Sequence, residues 1–547
     1  MRYIIPLAIL LLLSCQAEQK FEIAPWVPYD ESGILQANAD HENTRLRYKR
    51  IQAKVLDKND LWAVISPQLQ GFSEERYQEL KPLIFEQDIL SIQDKVESGQ
   101  LTYEALAQWY LYRIVRYEND PETALNAIIA INPEVVAQAR ERDAERTADR
   151  HPVFGIPILV KDNINTSGMA TTAGADALKN NFAPDAHIIR KFREHGGLVL
   201  GKTNLSEWAN FFCSDCPNGY SAMGGQTLNP YGPRQFDTGG SSSGSGVAMA
   251  ANYAAATIGT ETSGSILSPA SKNSVVGLKP TVGLLSRSGI VPISSTLDTP
   301  GPITKHVVDN AILLSALTGE DRDDPVTLEK SSPKQYWKDL READLSSFRL
   351  GVNKEFLKDS IYAETVQKLE AAGVTTIAFE PIEADLTDFG RVLSADMQTD
   401  LAHYLKNFSG DSVRFQSAAE IERYNEADSV IRMPYGQERF HSVSAEDLDS
   451  TALADLKQRL NQEAVRYFTT PMDTHKLDAV LSINNYSAGY AAMAHFPCLT
   501  IPMGYSTDGE PIGLTFIGKP FEEEKLLKMA YDFERNFNNR KPPAVYD

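Results

Sequence analysis

Residues Gly239–Leu267 read GGSSSGSGVAMAANYAAATIGTETSGSIL, two serine- and glycine-rich runs separated by small apolar residues. Glycine lets a backbone turn tightly and approach its neighbours, and serine offers hydroxyls for nucleophilic or proton-transfer work. Between the runs, Val247–Tyr253 is alanine-rich enough for a buried helix, and Ala255–Gly259 suits a short strand. This layout sets two hydroxyl clusters at opposite ends of one helix–strand unit, close enough to share a site. A flexible linker has a similar glycine and serine content, but linkers do not usually enclose an apolar segment between their glycines.

Working outward, Val153–Val160 (VFGIPILV) is an apolar run ending at Lys161-Asp162-Asn163, the pattern of a buried strand that delivers a lysine at its end. Asp185–His195 reads as a helix stopped by Gly196-Gly197, and Leu198–Leu200 as a short strand. Further strands are expected at Val275–Leu278, Leu477–Ile483, Cys498–Met503 and Ile512–Ile517, with a final helix from Glu522 to about Phe537. Nearer the N-terminus, helices are expected at Arg45–Leu56 and Ser73–Ser91. Another is capped by Thr102 with Leu106, Trp109, Tyr110 and Ile114 at helical spacing, and one more is opened by Pro133 and runs towards Arg146. Strands alternating with helices predict an α/β fold with a mixed sheet covered by helices on both faces.

The chain has 547 residues, 42% hydrophobic and 23% charged, so a large core is within reach. A net charge of -20, with no basic patch, excludes a nucleic-acid surface. Residues 1–15 form a separate segment: Arg2, then the apolar Ile4–Leu13, which is too short to span a bilayer, then Leu12-Leu13-Ser14-Cys15. This ending resembles the lipobox of bacterial lipoproteins, which implies acylation of Cys15 and a membrane surface as a partner through the N-terminal lipid. The expected location is the cell envelope, on the periplasmic side. Residues 16–85 read as an N-terminal arm and helices, Glu18–Lys49 being an extended polar tether. Residues 86–547 read as the main domain, with 320–450 a variable cap or insertion. Cys213 and Cys216 form a C-x-x-C without a second pair or nearby histidines, so a local disulfide is preferred to a metal site in an exported protein.

Two spelled motifs fail on context. Gly196–Thr203 satisfies G-x-x-x-x-G-K-[ST], but its variable positions are themselves the apolar strand, leaving no open loop to cradle a phosphate. Gly240-Ser241-Ser242-Ser243-Gly244 spells G-x-S-x-G, yet a loop precedes it where a nucleophile elbow needs a strand. None of His306, His403, His441, His475 and His495 stands in a recognisable catalytic context.

The remaining constellation is Lys161, Ser241 and Ser265. Around it the chain resembles the amidase signature family from near Leu101 to the C-terminus. The resemblance is carried by Leu125-Asn-Ala-Ile-Ile-Ala-Ile-Asn, Gly155-Ile-Pro-Ile-Leu-Val-Lys-Asp-Asn-Ile and Gly201-Lys-Thr-Asn-Leu-Ser-Glu-Trp-Ala-Asn. Four more blocks follow in order: Gly239-Gly-Ser-Ser-Ser-Gly-Ser, Gly259-Thr-Glu-Thr-Ser-Gly-Ser-Ile, Val276-Gly-Leu-Lys-Pro-Thr and Asp298-Thr-Pro-Gly-Pro. The resemblance implies one large mixed sheet and a Ser-Ser-Lys triad, with Lys161 the base, Ser241 the bridge and Ser265 the nucleophile. It also implies a cis peptide at the bridging serine and an oxyanion hole from the backbone N–H groups of Thr262, Ser263, Gly264 and Ser265. The implied reaction is hydrolysis of a small-molecule or peptide amide through a serine acyl-enzyme, with no cofactor and no metal. The chain departs from the nearest branch, which carries Glu-Thr-Asp-Gly-Ser-Ile, by having Ser263 in place of the aspartate. Alternative functions are an α/β-hydrolase-like esterase or lipase, a glutamine-dependent amidotransferase subunit, and a catalytically silent surface-binding lipoprotein.

Overall fold

The computed structural model describes residues 22–145 and 150–547. Its strands are β1 (Ile128–Ile131), β2 (Pro157–Lys161), β3 (Leu198–Thr203), β4 (Tyr220–Ser221), β5 (Gly225–Gln226), β6 (Ala256–Glu261), β7 (Val276–Lys279), β8 (Thr299–Thr304), β9 (Arg349–Asn353), β10 (Thr375–Phe379), β11 (Ala479–Ile483), β12 (Cys498–Tyr505) and β13 (Pro511–Ile517). Apart from the small β4–β5 hairpin, they form one eleven-stranded sheet in the order β1-β3-β2-β6-β8-β7-β12-β13-β11-β9-β10. Parallel β3, β2 and β6 adjoin a central antiparallel block, and β11, β9 and β10 are again parallel. The expected α/β class and mixed sheet are both present.

The quoted serine-rich stretch folds as a helix, Ser243–Ala250, followed by β6. All eight residues of that helix are buried. Gly244 is required there: a Cβ would sit 2.5 Å from Asn204 O and 2.7 Å from Ala127 O. β2 and β6 are buried along their whole length, as the apolar run before Lys161 demands of a strand covered on both faces.

Some expectations need correction. Arg45–Leu56 is not a helix: a short 3₁₀ turn covers Thr44–Leu46, and the helix begins at Lys58 behind its cap Asp57. Ser73–Ser91 divides into Glu74–Ile84 and Ile89–Glu97, each capped by its own side chain, Ser73 and Asp88. The described part of the expected tether packs on the body. Trp26, Leu46 and Tyr48 are buried, Arg45 Nη1 donates to Cys216 O (3.0 Å), and Asn38 Nδ2 donates to Arg234 O (2.9 Å). Its anchors are isolated apolar and polar side chains, which leave no period in the sequence. Residues 320–450 supply β9 and β10 at the sheet edge as well as helices, so they are in part an extension of the sheet.

Candidate active site

Lys161 ends β2 in the core with no exposed surface. Its Nζ lies 2.8 Å from Ser241 Oγ, 2.8 Å from Thr260 Oγ1 and 3.2 Å from Thr260 O. Burial pushes the amine down to about 7, against the opposing pull of Asp298 and Glu261. A neutral amine has two N–H groups and one lone pair. The two oxygens of Thr260 accept the N–H groups, which leaves the lone pair facing the Ser241 hydroxyl. Asn163 Nδ2 also donates to Thr260 Oγ1 (3.0 Å) and steadies it.

Ser241 follows a cis peptide bond from Gly240. Its carbonyl accepts from Ser206 N (3.0 Å), and Ser206 Oγ in turn accepts from Gly219 N (2.9 Å). Ser242, the central serine of the rejected elbow motif, is tied to β6: its Oγ donates to Thr260 O (3.1 Å) and accepts from Thr260 N (3.2 Å). Ser242 N donates to Ser265 O (3.1 Å), so the two serine clusters do meet. Among the described residues no histidine hydrogen-bonds to Ser241, Ser242 or Ser265.

Ser265 sits in the turn between β6 and the helix Leu267–Lys272 and is 7% exposed. Glu261 holds this turn. Its Oε1 accepts from Gly264 N (2.7 Å), and its Oε2 accepts from Ile266 N (2.7 Å) and Leu267 N (3.0 Å). The N–H of Gly264 is therefore committed to Glu261 and is not free for an oxyanion. The N–H groups of Thr262, Ser263 and Ser265 have no partner among the described residues. Thr262 is fixed through its hydroxyl, which donates to Asp298 Oδ1 (2.5 Å); burial pushes the Asp298 carboxyl up to about 6.

A cavity of about 620 Å³ opens on Thr262, Ser263 and Ser265. One wall is Ala209–Phe211; the others come from the start of the helix Phe389–Asn407 and from the helix Glu438–Ala445. Trp208, Ala209 and Asn210 all have positive φ (51°, 53° and 73°), a run of left-handed backbone that side chains other than glycine rarely adopt. A second cavity of about 430 Å³ reaches Thr260 and Asn163 and shares Ala209, Thr262 and Ile293 with the first. Behind Ala209–Phe211, Cys213 and Cys216 are joined, with Cα atoms 5.6 Å apart, and Phe440 N donates to Phe212 O (3.1 Å).

Lys202, the lysine of the rejected P-loop spelling, is buried within β3. It pairs with Asp162 (3.2 Å) and donates to Ile164 O (2.6 Å) and Thr171 Oγ1 (2.8 Å). It is a core ion pair beside Lys161 with no opening for a nucleotide. Sequence reasoning missed Thr260, Asn163, Ser206 and the Glu261 clamp. All four lie inside the motif blocks of the family resemblance, so their positions were visible while their partners were not.

The amidase family profile matches residues 108–527. The chain belongs to the amidase family. It is 37% identical over 481 residues to a probable amidase of Arabidopsis thaliana, covering 84% of this chain and 92% of that one. Among solved structures, an amidase family protein from Bacillus anthracis superposes with a TM-score of 0.85 at 34% identity, covering 91% of this chain and 100% of the other. Native peptide amidase from Stenotrophomonas maltophilia gives a TM-score of 0.78 at 36% identity, covering 84% and 98%. This protein is accordingly an amidohydrolase that acts on carboxylic amides.

Proposed function

We propose that the enzyme cleaves linear amides through an acyl-enzyme on Ser265, with Ser241 and Lys161 moving the protons. The observation that carries this reading is the buried Lys161 amine, held 2.8 Å from Ser241 Oγ with both remaining N–H groups given to Thr260. Neutral Lys161 takes the Ser241 proton as Ser241 takes that of Ser265, and Ser265 Oγ attacks the amide carbon. The oxyanion forms against the N–H groups of Thr262, Ser263 and Ser265; one such donor is worth about 3–4 kcal/mol in comparable hydrolases. The proton returns through Ser241 to the leaving amine, and water then releases the acid by the same route reversed. Peptide C-terminal amides are the first class to assay, given the likeness to a peptide amidase. Ser265→Ala is expected to abolish hydrolysis while the protein stays folded, and full activity in that variant would refute the reading.

The enzyme is further proposed to be an exported lipoprotein held at the membrane by an acylated Cys15, a residue outside those described. The support is the Leu12-Leu13-Ser14-Cys15 ending of the leader. No helix among the described residues is long and apolar enough to cross a membrane. Cys15→Ser is expected to release the protein from the membrane fraction, and continued partitioning with membranes would contradict lipid anchoring.

A further inference from the structure

The cavity at Ser265 carries a guanidinium that the proposed chemistry does not use. Arg439, on the helix Glu438–Ala445, lines that cavity together with Asn210 and Phe211. Its Nη1 donates to Asn210 O (3.1 Å), and the group lies 6.0 Å from the Phe211 ring centre. No carboxylate stands within 4.0 Å of it among the described residues. Burial and the neighbouring Arg45 hold Arg439 below its ordinary value, while Asp215 pulls the other way from beyond ion-pair distance. Arg45 is itself bound to neutral acceptors, Cys216 O (3.0 Å) and Asn218 Oδ1 (3.3 Å).

The other arginine of the cavity is different. Arg391 is tied to Glu446 (2.5 Å) and Asp447 (2.8 Å), which leaves it little to offer a ligand. Ser263, two residues before the nucleophile, adds a neutral side chain to the wall. A guanidinium has five N–H donors in a rigid fork, and among the described residues only one of those of Arg439, on Nη1, meets an acceptor, Asn210 O. In a chain of net charge -20, a half-satisfied arginine at a reaction cavity calls for an anionic ligand.

We propose that Arg439 is a specificity residue that receives a carboxylate on the acyl portion of the substrate, so that the enzyme prefers amides whose acyl group ends in an acid. The preference rests on the amidase reading above. In the Michaelis complex the carboxylate takes the free edge of the guanidinium while the amide carbonyl reaches Ser265, and the apolar stem lies along Phe211. The cavity of about 620 Å³ is large enough for a short acyl chain between the two points. The contact persists unchanged through the reaction, so it lowers KM more than it raises kcat.

The test pairs amides of dicarboxylic acids with the same amides carrying a methyl ester in place of the free acid, assayed on the intact enzyme. The wild type is expected to favour the free acid. Arg439→Gln should lower kcat/KM for the acid by about 10- to 100-fold, mostly through KM, and that for the ester by less than about 3-fold. Arg439→Lys, which keeps a point charge without the fork, should recover part of the loss. Equal turnover of acid and ester by the wild type, or an equal fall for both in Arg439→Gln, would overturn the assignment while leaving the amidase reading intact. Hydrolysis of neither series, or turnover unchanged in Ser265→Ala, would remove the amidase reading and this inference with it.

Discussion

The pH dependence of hydrolysis probes the base directly. At its ordinary value of 10.5, a lysine is neutral in about one molecule in 3,000 at pH 7, whereas Lys161, pushed down to about 7, is neutral in half. The roughly 1,500-fold larger population of base corresponds to about 4 kcal/mol. Because the folded value is lowered and the neutral amine is the active form, kcat/KM should rise about tenfold per pH unit below pH 7 and level off above it. Stability follows the same sign: the contribution is present above 10.5, declines as pH falls, and is lost below about 7, where the buried amine must carry its charge. Asp298 and Glu261 both favour the charged amine, Asp298 the more strongly. Asp298→Asn keeps an acceptor for the Thr262 hydroxyl but removes the charge, so the rising limb should move to lower pH. The assay is kcat/KM on one amide between about pH 5 and 10, with intrinsic fluorescence confirming the fold at each pH. A limb near pH 10, the absence of a limb, or an upward displacement in Asp298→Asn would refute the assignment of Lys161 as base.

Other consequences can be measured alongside. Gly264 has φ +85°, and a Cβ there would lie 2.8 Å from Asn485 Nδ2; Gly264→Ala should cost about 1–3 kcal/mol in denaturant titration and displace Ser265, lowering kcat. Lys202→Met leaves Asp162 buried without its cation, and a loss of about 3–5 kcal/mol in the same titration is expected. Alkylation of the denatured, unreduced protein should leave Cys213 and Cys216 unlabelled; labelling of both would contradict their pairing.

The parts of the fold legible in the sequence are those with uninterrupted apolar runs. β2, β7, β11, β12 and β13 all lie where such runs stand, because buried strands need no alternation. β8 was not legible. Its sequence, Thr-Pro-Gly-Pro-Ile-Thr, argues against a central strand, yet it pairs with β6 from Thr299 to Ile303, and β7 joins it only at Ile303 and Thr304, beyond both prolines. β9 and β10 are each five residues long, β10 at the sheet edge and β9 between it and β11, too short to carry much periodic signal. Lys161, Ser241 and Ser265 were readable through their motif blocks, and the structure brings Lys161 to Ser241 and the turn of Ser265 to Ser242. What stayed hidden depends on three-dimensional partners: Thr260 as the acceptor of both lysine N–H groups, Glu261 taking the Gly264 N–H from the expected oxyanion hole, and the left-handed run at Trp208–Asn210.

In the proposed reaction Ser265 becomes the acylated residue. Intact-mass spectrometry of the enzyme trapped with a slowly deacylating amide, followed by peptide mapping, addresses it most directly. A single acyl adduct on Ser265, absent from Ser265→Ala together with hydrolysis, is expected. An adduct mapped to Ser241 or Ser242, or hydrolysis undiminished in Ser265→Ala, would contradict it.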